Sequence, residues 1–119
     1  MKILIADDSQ FMRTILKGII EKSVKGVDFV EASNGKDAIQ LALDHNPDLI
    51  LLDLVMPEMG GIEVLQQIGA SKNGKIIVIS AMGQEKVIEQ AMSLGAAAFI
   101  TKPFDEKKVI EVVKTVTGG

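Results

Sequence analysis

Residues 47–53 read PDLILLD, in which four consecutive leucines and isoleucines lie between a Pro-Asp pair and a second aspartate. A strand with one wet face alternates apolar and polar residues, because successive side chains point to opposite faces. An unbroken apolar run belongs instead to a strand covered on both faces, as in a parallel sheet. KILIA (2–6) and KIIVIS (75–80) have the same character. VDFVEA (27–32) and AAAFIT (96–101) complete five predicted strands, each bounded by Gly, Pro, Asn or acidic residues.

Between the runs the apolar period lengthens to that of a helix. Residues 9–22 set Met12, Ile15, Leu16, Ile19 and Ile20 on one stripe, with Ser9 as a cap, and Gly18 inside the pattern weakens it slightly. Ser33 or Asn34 caps a second helix carrying Ala38, Leu41 and Ala42, which Pro47 stops. Residues 61–70 align Ile62, Val64, Leu65 and Ile68; residues 84–94 align Val87, Ile88, Ala91 and Met92 before Gly95. Asp105 caps a last helix with Val109, Val112, Val113 and Val116 inward. The pattern is (βα)₅, hence one α/β domain with helices on both faces of a five-stranded parallel sheet.

Composition narrows the function. A chain of 119 residues, 47% hydrophobic and 24% charged, has enough apolar material for one closed core. Sixteen acids against 13 bases give a net charge of −3, which argues against a nucleic-acid binder. The four phenylalanines (11, 29, 99 and 104) are too scattered for base stacking and are assigned mostly to the core. No cysteine is present, so disulfides, thiolate metal sites and cysteine nucleophiles are excluded. The start, MKILIADD, lacks the long apolar segment of a signal peptide, and no run is long enough to span a membrane. A cytoplasmic protein is expected. Neither G-x-x-x-x-G-K-[ST] nor G-x-G-x-x-G follows the first strand, which removes the commonest nucleotide-binding motifs.

In an open α/β sheet, ligands bind at the carboxyl ends of the strands. Those ends carry Asp7-Asp8, Asp53, Ser80 and Thr101-Lys102-Pro103. Taken singly, Asp8 reads equally well as an acid favoured at a helix N-terminus, and Ser80 as a capping serine. Taken together, three carboxylates with no cysteine beside them make an all-oxygen site suited to Mg²⁺. Adjacent unit charges about 4 Å apart repel by roughly 4 kcal/mol at an effective dielectric near 20, a cost a divalent cation would offset at Asp7-Asp8. Lys102 can hold a phosphoryl oxygen as a point charge. The sole histidine, His45, falls at a helix end away from the strand tips and is assigned to solvent.

In these motifs the chain resembles the receiver domain of bacterial and archaeal response regulators. The resemblance covers essentially all 119 residues and rests on Asp7-Asp8, DLVMPEMGG (53–61), Ser80-Ala81 and Lys102-Pro103-Phe104, in that order. It implies a flavodoxin-like strand order 2-1-3-4-5. It implies that Asp53 accepts a phosphoryl group, and that Asp8, Asp53 and the Val55 carbonyl ligate Mg²⁺ directly while Asp7 acts through water. Ser80 and Lys102 would contact the phosphoryl oxygens, and Lys102-Pro103 would be a cis peptide. Phe99 would be the switch aromatic, in place of the family's frequent tyrosine, and Ser80 stands where threonine is frequent. Met56-Pro57 and Gly60-Gly61 would shape the loop after Asp53.

The implied function is a two-component signalling switch, not an enzyme beyond its own phosphorylation and dephosphorylation. A histidine kinase would be the donor, a phosphatase could reset it, and a protein target such as the flagellar switch would read the fourth helix, fifth strand and fifth helix. DSQFMR and SAMGQE point to chemotaxis-type members, acting as a monomer with residues 1–119 forming one receiver domain. The alternative is a receiver fragment of a larger regulator with a DNA-binding or enzymatic output, which the terminal TGG leaves open. A phosphatase of haloacid-dehalogenase type also uses an aspartate nucleophile, but needs an acid two residues on, where Val55 stands.

Overall fold

A computed structural model describes residues 1–69 and 74–118. Strands β1 (Lys2–Ala6), β2 (Asp28–Ala32), β3 (Leu49–Leu52), β4 (Lys75–Ser80) and β5 (Ala98–Thr101) alternate with helices α1 (Gln10–Ser23), α2 (Gly35–His45), α3 (Gly61–Ile68), α4 (Glu85–Ser93) and α5 (Glu106–Thr117). All neighbours pair in parallel, in the order β2-β1-β3-β4-β5. The expected elements are present, with ends trimmed by one or two residues where loop geometry begins. The helix expected over 61–70 is described through Ile68, and Ala70, like Gly119, lies outside the described residues.

The unbroken apolar runs are explained by two cores, one on each face of the sheet. Leu4, Ala6, Ile50, Leu52, Ile76 and Val78 point to the side of α2, α3 and α4, where they meet Ala38, Val64, Leu65 and Ala91. Ile3, Ile5, Leu49, Leu51, Ile77 and Ile79 point to the other side and meet Leu16, Ile19 and Ile20 of α1 and Val109 and Val113 of α5. Burying one such side chain stabilises by roughly 1.5–3 kcal/mol, so both faces of the sheet contribute to the core. Two assignments are corrected. Met92 is exposed because it sits on the solvent side of α4, and Phe11 is 74% exposed in the first turn of α1; the other three phenylalanines are partly buried and pack against the two cores.

Caps set the helix starts at the functional end of the sheet. Ser9 Oγ accepts from Met12 N at 3.1 Å, Asn34 rather than Ser33 caps α2 by accepting from Asp37 N, and Asp105 accepts from Lys108 N. At the opposite end, Met1, Asp48, Lys75, Val116 and Thr117 line one groove below the amino ends of the strands.

Candidate functional site

Strand pairing brings the informative residues together. Ala6 pairs with Leu52, so the next residue on each strand, Asp7 and Asp53, leave the sheet side by side; Asp53 N donates to Ala6 O at 2.9 Å. Asp7 N donates in turn to Ala32 O at 3.0 Å. Ser80 pairs with Thr101, which puts Lys102 one residue beyond the end of β5, with its N–H on Ser80 O at 2.9 Å. The β1/β3 boundary is where the chain reverses its direction of travel across the sheet, the position at which such sheets open a crevice.

Asp7, Asp8 and Asp53 converge so that one carboxylate oxygen from each lies within 4.8 Å of the others. Asp7 and Asp53 are buried at 2% and 6% exposure, whereas Asp8 faces solvent. Lys102 Nζ reaches over β4 to donate to Asp7 Oδ2 at 2.9 Å and Asp53 Oδ2 at 3.0 Å. The remaining oxygens are held by backbone amides: Ser9 N donates to Asp7 Oδ1 at 2.9 Å and Val55 N to Asp53 Oδ1 at 3.2 Å. Burial favours the neutral Lys102 amine, but the hydrogen bonds and charges of Asp7 and Asp53 outweigh it and hold the ammonium above its ordinary pKa.

The electrostatic argument from Asp7-Asp8 is thereby refined. Lys102 already offsets part of the repulsion, and solvent screens Asp8. Three carboxylates against one ammonium still leave two negative charges, which matches a divalent cation in sign and magnitude. The donor set is all oxygen and one of its three carboxylates, Asp8, faces solvent, so it fits a hard ion that retains several waters.

Ser80 closes β4 fully buried, with its Oγ accepting from Met82 N at 3.3 Å. Among the described residues it makes no side-chain bond to the acids. Phe99 is half-buried on β5, away from the carboxylates, and with Thr101, Pro103, Phe104 and Lys108 it lines a groove of about 250 Å³ beside α5. The Lys102-Pro103 peptide is cis. After Asp53 the chain turns sharply: Met59 N donates to Pro57 O at 2.7 Å, and Glu58 adopts a left-handed φ of 64°. Gly61 closes this loop because a Cβ there would collide with the Asp53 carbonyl oxygen and lie 2.7 Å from Leu54 Cα. His45 is exposed at the end of α2, as expected.

One ion network was not anticipated. Arg13 Nε donates to Glu31 Oε1 at 2.8 Å, Lys17 Nζ donates to Glu31 Oε2 at 2.9 Å, and Arg13 Nη1 donates to the Asp7 carbonyl at 2.7 Å. Its signal was present in the sequence: Arg13 precedes Leu16 by three and Ile20 by seven, so a cation sits on the inward stripe of α1.

A parallel α/β sheet thus carries, at its carboxyl end, an acidic pocket bridged by one lysine. Residues 3–114 match the family described as the response regulator receiver domain. The chemotaxis protein CheY of Thermotoga maritima is 42% identical over 120 residues, covering 98% of this chain and 97% of that protein. The transcriptional regulatory protein ResD of Bacillus subtilis is 41% identical over 115 residues, covering 97% of this chain but 47% of that protein. Among solved structures, the CheX–CheY–BeF₃–Mg²⁺ complex from Borrelia burgdorferi matches with a TM-score of 0.89 and 35% identity, covering 97% of this chain and 87% of that one. The chain belongs to the response regulator receiver domain family, the phosphorylation switches of two-component systems.

Proposed function

We propose that a histidine kinase phosphorylates Asp53 with Mg²⁺ bound, and that the chain then presents an altered α4–β5–α5 surface to a partner in chemotaxis. The observation that carries this reading is the pair of bonds from Lys102 Nζ to Asp7 and Asp53 inside the three-carboxylate cluster. Asp8, Asp53 and the Val55 carbonyl would hold the cation, with Asp7 acting through water. When bound, Mg²⁺ supplies neutralisation of charge on the carboxylates and phosphoryl oxygens.

A carboxylate is a weak nucleophile, so positioning and charge neutralisation provide most of the rate. An Asp53 oxygen attacks the phosphorus of phosphohistidine, the P–N bond breaks, and the imidazole leaves. Lys102 exchanges a carboxylate partner for a phosphoryl oxygen. The Ser80 hydroxyl leaves Met82 N–H and donates to another phosphoryl oxygen. The volume Ser80 vacates lets the Phe99 ring change rotamer, a switch by ring burial alone since phenylalanine has no hydroxyl. Moving such an element from 1:99 to 99:1 requires about 5.5 kcal/mol of differential binding.

The near full-length likeness to a CheY protein supports a single receiver domain over residues 1–119; in this reading it acts as a cytoplasmic monomer that a phosphatase resets. The Borrelia CheY, solved with BeF₃ and Mg²⁺, supports the ligand chemistry. A second reading, a receiver joined to a DNA-binding or enzymatic output, is favoured by the match to 47% of ResD. The test is intact mass after incubation with acetyl phosphate and Mg²⁺: one phosphoryl group on the wild type and none on Asp53→Asn. No gain in wild type, or equal gain in Asp53→Asn, rejects the assignment. Chemotaxis genes adjacent to this one would separate the first reading from the second.

A further inference from the structure

Asp8 is the one acid of the cluster whose carboxylate makes no hydrogen bond among the described residues, and it is exposed. The direction of its Cα–Cβ bond is set by the backbone on either side. The peptide entering Asp8 is held at the Asp7 carbonyl oxygen, which accepts from Arg13 Nη1 at 2.7 Å. The peptide leaving Asp8 is held by Ser9 N–H on Asp7 Oδ1 at 2.9 Å. Asp7 is thus bonded through its amide, its carbonyl and both carboxylate oxygens, and Asp8 is suspended from it.

Arg13 is itself fixed. Its Nε–H points to Glu31 Oε1 at 2.8 Å, and the other oxygen of Glu31 accepts from Lys17 Nζ at 2.9 Å. Glu31 belongs to β2, paired with Ile5 of β1, while Arg13 and Lys17 belong to α1. The Arg13 side chain is 14% exposed, well covered for an arginine. A guanidinium is planar, so bonds on two of its nitrogens determine its orientation as well as its position. Hydrogen bonds from Lys17 and Arg13 hold the Glu31 carboxyl below the usual glutamate range, so the anchor stays charged at neutral pH. The guanidinium therefore joins β2, α1 and the end of β1 at the point from which Asp8 departs.

We propose that Arg13, anchored by Glu31 and Lys17, is a positioning residue for the cation site: by clamping the Asp7 carbonyl it aims the Asp8 carboxylate at Asp7 and Asp53. The proposal rests on the assignment of that pocket to Mg²⁺. Outer groups that orient metal ligands commonly change metal affinity by about tenfold or more when removed.

Charge and geometry predict opposite signs here. Removing a cation near a divalent site tightens metal binding if charge decides, and loosens it if aim decides. Mg²⁺ is titrated into wild type, Arg13→Gln and Arg13→Lys by calorimetry, with melting followed by circular dichroism in the absence of Mg²⁺. Arg13→Gln is expected to bind Mg²⁺ about tenfold more weakly. Arg13→Lys, which keeps the charge but not the fork, is expected to be weakened as well, and it carries the test if the glutamine variant does not fold. In an Asp8→Asn background, adding Arg13→Lys is expected to cost no further Mg²⁺ response, since the residue to be aimed has lost its charge. Equal or tighter binding by Arg13→Gln, wild-type affinity in Arg13→Lys, or a full additional loss in the Asp8→Asn background overturns the proposal. Absence of Mg²⁺ binding by the wild type instead overturns the assignment of the pocket, a distinct result.

Discussion

The Lys102 ammonium, one residue beyond the edge strand β5, lies 2.9 Å from Asp7 Oδ2 and 3.0 Å from Asp53 Oδ2, which follow directly on β1 and the neighbouring β3. It passes over β4 to do so, and it is the only cation among the described residues bonded to either carboxylate. Two buried acids therefore depend on one lysine.

Replacing that lysine leaves both acids unpaired. Removing one partner of a buried ion pair costs about 3–5 kcal/mol, and the 18% exposure of the Lys102 side chain places the loss at the lower end, about 3 kcal/mol. Lys102→Met should melt well below wild type without metal and recover part of the difference in millimolar Mg²⁺. Denaturant unfolding with and without Mg²⁺ measures both, and an unchanged midpoint would refute the dependence of the two acids on the lysine.

Mg²⁺ should raise the melting temperature of the wild type, because a ligand that binds the folded state alone stabilises by about 2.7 kcal/mol at 100 times its dissociation constant. Asp8→Ala removes one of three like charges, so it should melt slightly above wild type without metal and lose the Mg²⁺ response. The gain is small because Asp8 is exposed. With no Trp or Tyr in the chain, circular dichroism, calorimetry or an extrinsic dye must report the transition in place of intrinsic fluorescence. A full Mg²⁺ response in Asp8→Ala would refute its role as a ligand.

Acid should remove the contribution of Glu31. Its pKa is lowered in the folded chain by hydrogen bonds from Lys17 and then Arg13, so its stabilisation is present above the ordinary value of 4.5 and is lost as pH falls through the lower folded value. Wild type should exceed Glu31→Gln by roughly 0.5–1 kcal/mol at pH 7, with the two converging once the pH falls below the lowered folded value. Urea midpoints across that range test the sign, and a difference that persists in acid would contradict it.

Two glycines should respond in opposite ways. A Cβ on Gly18, inside α1, would meet nothing within 4 Å, so Gly18→Ala should stabilise by about 0.5–1 kcal/mol. A Cβ on Gly61 would run into the backbone of Asp53 and Leu54, so Gly61→Ala should destabilise by about 1–3 kcal/mol and weaken the Mg²⁺ response by shifting Asp53. Paired melts of the two variants check the contrast.

The strands were legible because PDLILLD and its counterparts are apolar on both faces, which only a doubly covered sheet requires. The carboxylate cluster was legible because such strands end where ligands bind. The strand order was not: five similar runs carry no record of which is central, and it came from resemblance to a family. Phe11 misled because an aromatic in the first turn of a helix does not reveal whether that turn overhangs the sheet. The Arg13–Glu31 pair was hidden because its members are 18 positions apart and meet only through the register of β2 with β1.

Met1 and Thr117 line the same groove below the amino ends of the strands, while the three-carboxylate cluster and Lys102 lie above the carboxyl ends. A five-residue strand separates the two rims by about 15 Å. A fluorescent protein or affinity tag fused at either end would hang from the inert rim, leaving the acidic mouth clear for a donor. Joining residue 117 to residue 1 through a short linker should likewise yield a permuted chain with its chemistry intact, a practical route to sensors built on this scaffold.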